Sequence, residues 1–320
     1  MSKLAVLLLA HGTPETIDQI PEYLRNVVSG RPMPQHVIEE IQHRYSLIGK
    51  SPLTEITMEQ GRMVEAELAR QGHAVPVYMG MRNWRPYIPD VVKQMVADGV
   101  EEAAVICLAP QNSRTSVGLY HRAVLAEANK LKFDFTDSWA DSLLLAEAFA
   151  ERLRVAQTRV KAETGAYAPV LFTAHSVPTR TIQPPAPDEN HPRHWPGEGI
   201  DPYADDARKT AELVAARVPE IPAWHFAFQS QGASGGPWIG PTVEEILDQL
   251  ANQSVKTLIL QPIGFLCDHV EILYDVDIAF REYAAEKGIL LERPESLNLS
   301  QTLAHAVTKL AMDAMGRLRS

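Results

Sequence analysis

The sequence predicts an α/β protein made of two similar halves, each with a mainly parallel sheet. Three observations carry this. Short apolar runs alternate with amphipathic segments along all 320 residues. The stretch VLLLAHGTP at 6–14 returns as VLFTAHSVP at 170–178. The segments that follow each copy also match in order, VYMGM with FAFQS and ICLAP with LILQP. The length exceeds what one core usually needs, so two domains are expected, 1–145 and 146–320, related by a pseudo-two-fold duplication.

The elements follow in order. LAVLLLA (4–10) is apolar throughout and stops at Gly-Thr-Pro, as a strand buried on both faces should. ETIDQIPEYLRNVV reads as a helix that Pro21 breaks or kinks. SPLTEITMEQGRMVEAELARQG opens on Ser51-Pro52, carries apolar residues at helical spacing and closes at Gly72. A strand (74–81), a helix stopped at Gly99 and a strand (103–110) come next. SVGLYHRAVLAEANKL is helical, DFTDSW a short strand, and ADSLLLAEAFAERLRVAQTRV a long helix.

From 169 the order repeats. Strands are expected at PVLFTAHSVP, AWHFAFQS (223–230) and VKTLILQPIGF (255–265), separated by helices. The last helix is expected to pack back on the first domain. The segment QPPAPDENHPRHWPGEG (183–199), with five prolines, reads as an exposed loop. His191 and His194 within it are read as solvated rather than metal-binding.

Composition excludes several functions. A net charge of −10 without a Lys/Arg stripe argues against nucleic acid. Two cysteines, Cys107 and Cys267, are too few for a disulfide framework or an iron–sulfur cluster, and both read as small buried residues. The N-terminal apolar run is too short for a signal or a membrane span. A cytoplasmic location is expected, with association at a membrane surface left open. No G-x-G-x-x-G or P-loop follows the first strand, so no nucleotide site is indicated.

Ligands of open parallel sheets bind at the carboxyl ends of the strands. His11 and His175 occupy two such ends, and GFLCDHVEILYDVD follows a third. On a regular helix Asp268, Glu271 and Asp275 share one face, with Leu273, Val276 and Phe280 on a core face. Carboxylates clustered beside apolar sequence invite protons or a divalent cation. His175 and Glu271 together offer a proton-relay pair or a borderline metal site.

These motifs resemble the ferrochelatase family: AHGTPET, GKSPLTEIT, YMGMRNWRP, FTAHSVP, FQSQGASGGPWIGPTVEEIL and PIGFLCDHVEILYDVDI. The resemblance spans nearly the whole chain. It implies two Rossmann-like domains holding a tetrapyrrole between them, and insertion of Fe(II) into a porphyrin in haem biosynthesis. By motif it makes His175 and Glu271 the catalytic pair. His175, Glu271 and Asp275 would meet the metal, Asp275 continuing a carboxylate line that Ala279 interrupts. His11, Arg31, Arg44, Ser51 and Tyr120 match positions facing the porphyrin. At His11 several coproporphyrin-using relatives carry tyrosine, while AHG is similar to smaller cobalt- and nickel-chelatases.

Metallation removes two pyrrole protons and must expose ring lone pairs, so binding that bends the ring should lower the barrier. Likeness to bacterial coproporphyrin III enzymes, and the lack of a cysteine-bearing C-terminal extension, point to coproporphyrin III and coprohaem. Arg82 and Arg114 are further candidates for its propionates. The alternatives are protoporphyrin IX, another tetrapyrrole, or a haem-binding protein without turnover. Fe(II) is then a substrate, with no tightly bound cofactor expected. A monomer making transient contacts with other haem-pathway enzymes completes the expectation.

Overall fold

A computed structural model describes residues 3–128, 131–183, 199–232 and 236–320. The 184–198 segment, with His191 and His194, lies outside them. Two four-stranded sheets, parallel throughout, form the frame. In the first, β1 (Leu4–Ala10), β2 (Val77–Met81), β3 (Glu102–Cys107) and β4 (Lys132–Thr136) lie in the order β2-β1-β3-β4. In the second, β5 (Val170–His175), β6 (Trp224–Gln229), β7 (Thr257–Pro262) and β8 (Leu290–Glu292) lie in the order β6-β5-β7-β8. Strand for strand the second sheet repeats the first, which accounts for the repeated sequence.

Helices α1 (Ile20–Val27), α2 (Gln35–Ile48), α3 (Leu53–Arg70), α4 (Ile88–Ala97), α5 (Val117–Glu127) and α6 (Leu143–Thr164) belong to the first stretch of chain. Then come a single turn α7 (Thr179–Ile182), α8 (Tyr203–Ala215), α9 (Val243–Asn252), α10 (Val270–Leu273), α11 (Arg281–Glu286) and α12 (Gln301–Arg319). Among the described residues no helix is long and apolar enough to cross a membrane.

The central strands are buried on both faces, which explains their unbroken apolar runs. Val6 and Leu8 join Phe149, Phe172 and Val307 in a core lying between the sheets. Leu7 and Leu9 face the other way, against Val92 of α4 and Val124 of α5. Each such side chain contributes roughly 1.5–3 kcal/mol by leaving water. The chain passes between the sheets through α6, so residue 145 falls inside a helix that packs on α8 and α12. The last helix, α12, packs on α3, β3 and β4.

Three local expectations change. Pro21 does not break a helix; it occupies the first turn of α1, where its missing N–H costs nothing. The strand expected at 134–139 ends at Thr136, and Trp139 turns inward to donate Nε1–H to the Cys107 carbonyl at 2.9 Å. The segment from Asp268 is not one regular helix. His269 is extended (φ −162°) ahead of α10, and residues Asp275–Phe280 form a π-helical turn. That wider turn makes Ile272, rather than Leu273, the core partner of Val276 and Phe280.

Candidate active site

The carboxyl ends of β1, β3, β5 and β7 open on one cleft, and each contributes a wall of a cavity of about 220 Å³. His11, Tyr23 and Tyr120 line it from the first half; His175, His269 and Glu271 line it from the second. Gly264 lets the loop after β7 press against β5, since a Cβ there would lie 3.1 Å from Ala174. This close approach brings Glu271 to the end of the strand bearing His175.

His175 Nε2 lies 3.3 Å from Glu271 Oε1, and its Nδ1 faces the Ser176 carbonyl. Burial alone would lower the imidazole's pKa. The Glu271 carboxylate, its hydrogen bond, the Ser176 carbonyl and Asp275 outweigh that and hold it at about 9. Glu271 moves the other way. Burial pushes it up, but His175 and His269 hold it well below the usual carboxylate range. At neutral pH the pair is therefore imidazolium and carboxylate.

His269 completes the setting of Glu271. Its Nδ1 lies 3.1 Å from the Cys267 carbonyl, its ring leans on Phe265, and its Nε2 comes within 3.5 Å of Glu271 Oε2. Asp275 sits further out on the π-helical turn. Ser230 Oγ donates to its Oδ2, and Arg44 Nη1 lies 3.4 Å from its Oδ1. Burial raises this carboxyl's pKa, against the pull of Ser230 and Arg44. Among the described residues no three His, Cys, Asp or Glu side chains are grouped closely enough to hold a metal ion. His175 and Glu271 are in contact, while Asp275 is held by Ser230 and Arg44.

His11 presents the opposite charge state from His175. Burial, helped by Arg82, lowers its pKa to about 4 despite Glu271, so the ring is neutral. Tyr23 Oη lies 2.8 Å from its Nε2, and Asn83 Nδ2 3.2 Å from both ring nitrogens. Gly12 (φ +74°) makes this turn possible, because a Cβ there would lie 2.8 Å from Met81 Cβ.

The other expected residues divide. Tyr120 is buried and lines the cavity. Ser51 is buried beneath it, accepting from Thr13 Oγ1 at 3.1 Å. Arg44 is drawn to Asp275, as above. Arg31 is exposed beyond α1 and donates to the Val28 carbonyl, so it does not line the cavity. Arg82 reaches the Thr115 carbonyl at 3.4 Å, while Arg114 donates to the carbonyls of Gln183 and Gly199. Asp268 does not share Glu271's face; it is turned to Arg293, Ser296 and Asn298. Sequence reasoning passed over Tyr23, His269 and Tyr203, whose Oη donates to the His175 carbonyl at 2.8 Å. Only His269 carried a signal, its place two residues before Glu271.

The chain is similar to known proteins over nearly its whole length. The family model described as Ferrochelatase matches residues 3–315. A ferrochelatase of Acidobacterium capsulatum is 58% identical over 319 residues, covering 99% of this chain and 96% of that protein. A coproporphyrin III ferrochelatase of Mycolicibacterium vanbaalenii is 34% identical over 331 residues, covering 100% of this chain and 91% of that one. The solved sirohydrochlorin chelatase SirB of Bacillus subtilis subspecies spizizenii, in complex with cobalt, aligns with a TM-score of 0.55. That alignment covers 98% of this chain and 97% of the other at 12% identity, a likeness of fold alone. By family model and by relatives matched over nearly their whole length, the chain belongs to the ferrochelatases, porphyrin metal-chelating lyases of haem synthesis.

Proposed function

We propose that this chain inserts Fe(II) into coproporphyrin III to give coprohaem, with His175 and Glu271 as the catalytic pair. The observation that carries the reading is the His175–Glu271 pair facing a neutral His11 across one cavity. The two pyrrole protons must leave as iron enters. His175 accepts them, and Glu271 and Asp275 pass them outward or deliver the metal.

Beside the Glu271 carboxylate His175 already holds a proton. A dication arriving at Glu271 competes with the imidazolium for the carboxylate, so the ring, 31% exposed, gives its proton to solvent in the cleft and becomes the neutral acceptor. Iron is then a trigger as well as a substrate. His11, already neutral, bounds the macrocycle from the other wall without adding a charge. Tyr120 bounds the ring edge.

Two features favour coproporphyrin over protoporphyrin IX. A relative 34% identical over this whole chain bears that substrate in its name. Arg44 also keeps a buried Nε without a hydrogen-bond partner among the described residues, a donor suited to an additional carboxylate. The test is anaerobic Fe(II) insertion followed by absorbance, with coproporphyrin III and protoporphyrin IX offered separately. Faster turnover of coproporphyrin is expected. Preference for protoporphyrin IX would overturn the substrate, and turnover of neither would overturn the catalytic assignment.

A further inference from the structure

Arg44 of α2 lies against Tyr274 and Asp275, at the start of the π-helical turn. Its Nη1 lies 3.4 Å from Asp275 Oδ1, its Nη2 is bonded to Glu40, and its guanidinium carbon sits 4.9 Å from the centre of the Tyr274 ring. Its Nε is buried and has no hydrogen-bond partner among the described residues. A buried N–H on a charged group is costly to leave unpaired. This guanidinium therefore has a donor waiting for an acceptor.

Asp275 and Glu271 are in the converse condition. Both oxygens of Asp275 are engaged, one by Ser230 and one by Arg44. Both oxygens of Glu271 face histidines. A dication approaching Asp275 would meet a cation already seated there. At Asp275 the contact with Arg44, at 3.4 Å and with the Arg44 side chain 29% exposed, is longer than the Ser230 hydrogen bond. Breaking it is the less costly way to free an oxygen of that carboxylate. The face of Tyr274 keeps the guanidinium close while it turns.

We infer that Arg44 couples the two substrates: a porphyrin carboxylate takes the guanidinium, unpartnered Nε included, draws it off Asp275 and so opens that carboxylate to the metal ion. The inference rests on the proposed reading that a carboxylate-bearing porphyrin and a divalent metal are the substrates. Because coupling between two binding sites is reciprocal, each substrate must tighten the other by the same factor. Arg44 is then a specificity device. A macrocycle without a carboxylate at that edge leaves the metal path closed.

The test measures Mn(II) binding by electron paramagnetic resonance, with and without palladium(II) coproporphyrin III, whose ring nitrogens are already occupied. Porphyrin binding is followed separately by absorbance. In the wild type Mn(II) should bind tighter with the porphyrin present, by a factor of about 5–150. Arg44→Gln should tighten Mn(II) binding without porphyrin and bring that ratio to about one. Arg44→Lys, which keeps the charge but lacks an Nε, should give an intermediate ratio, and it serves if the Gln variant does not fold. A ratio of one in the wild type, or an unchanged ratio in the variants, would overturn the inference while porphyrin binding persisted. Failure of the wild type to bind porphyrin or Mn(II) at all would overturn the proposed reading and this inference with it.

Discussion

Glu271→Gln is the substitution whose effect can be worked furthest from the structure. It keeps the shape of the side chain and removes the charge that holds His175 protonated. Moving an imidazole from 6.5 to about 9 corresponds to roughly 3 kcal/mol of preference for the charged form. The side chains of His175 and Glu271 are 31% and 33% exposed to the cleft, so solvent screens the pair and ~1–2 kcal/mol is the expected contribution. A raised histidine stabilises the fold fully below its unfolded value near 6.5, and that contribution is lost as pH rises through about 9. The depressed Glu271 contributes above the usual carboxylate range and loses its share only as pH falls below it. The stability difference between wild type and Glu271→Gln, measured by urea unfolding, should therefore shrink by ~1–2 kcal/mol between pH 7 and pH 10. Groups common to both proteins cancel in that difference. In the variant, burial is left to act on His175 with its main opponent gone, and nuclear magnetic resonance should place its titration below 6.5. A difference that stays flat from pH 7 to pH 10 would refute the ion pair.

Three further outcomes follow from the same geometry. Arg293 bonds Asp277 through both oxygens, at 2.7 and 2.8 Å, and Asp268 at 3.2 Å, bracing the chain on either side of Glu271. Arg293→Met should cost about 2–4 kcal/mol in thermal unfolding, because it strands two part-buried carboxylates. It should also lower kcat for metallation more than it changes KM for porphyrin. Gly12→Ala should destabilise by roughly 1–3 kcal/mol, since a positive φ and contact with Met81 both oppose a Cβ, and it should displace His11. His11, held at about 4, should stay neutral at pH 5.5 in its nitrogen-15 spectrum. A depressed histidine stabilises above its unfolded value, so His11→Gln should remove part of the loss of stability seen as pH falls from about 6.5 towards 4.

Much of the architecture was legible because it depends on patterns that sequence displays directly. Unbroken apolar runs ending in Ala-His marked β1 and β5, and the ordered matches after them foretold two similar parallel sheets. The strand-end positions of His11 and His175 were legible for the same reason. What failed was the assumption of a regular helix through Asp268–Phe280. The extended His269 turns Asp268 away to Arg293, and the π-helical turn exchanges Leu273 for Ile272 in the core. Neither feature has a composition or period of its own. Arg31 was carried over by motif, yet the chain beyond α1 leaves it exposed. The roles of Tyr23 and Tyr203 depend on hydrogen bonds to distant residues, which one-dimensional spacing does not encode. The opposite charge states of His11 and His175 were likewise hidden, because only packing decides which imidazole has a carboxylate beside it.

The central claim is that His175 and Glu271 perform the metallation. It is tested most directly by single-turnover Fe(II) insertion into prebound coproporphyrin III, anaerobically, in wild type, His175→Ala and Glu271→Gln. Porphyrin affinity of each protein is measured alongside. Both variants should bind the porphyrin within a few-fold of wild type and insert iron about 10²-fold or more slowly, the loss expected when a positioned proton acceptor is removed. Insertion by either variant at a rate within about twofold of wild type, a difference too small for a lost proton acceptor, would contradict the account.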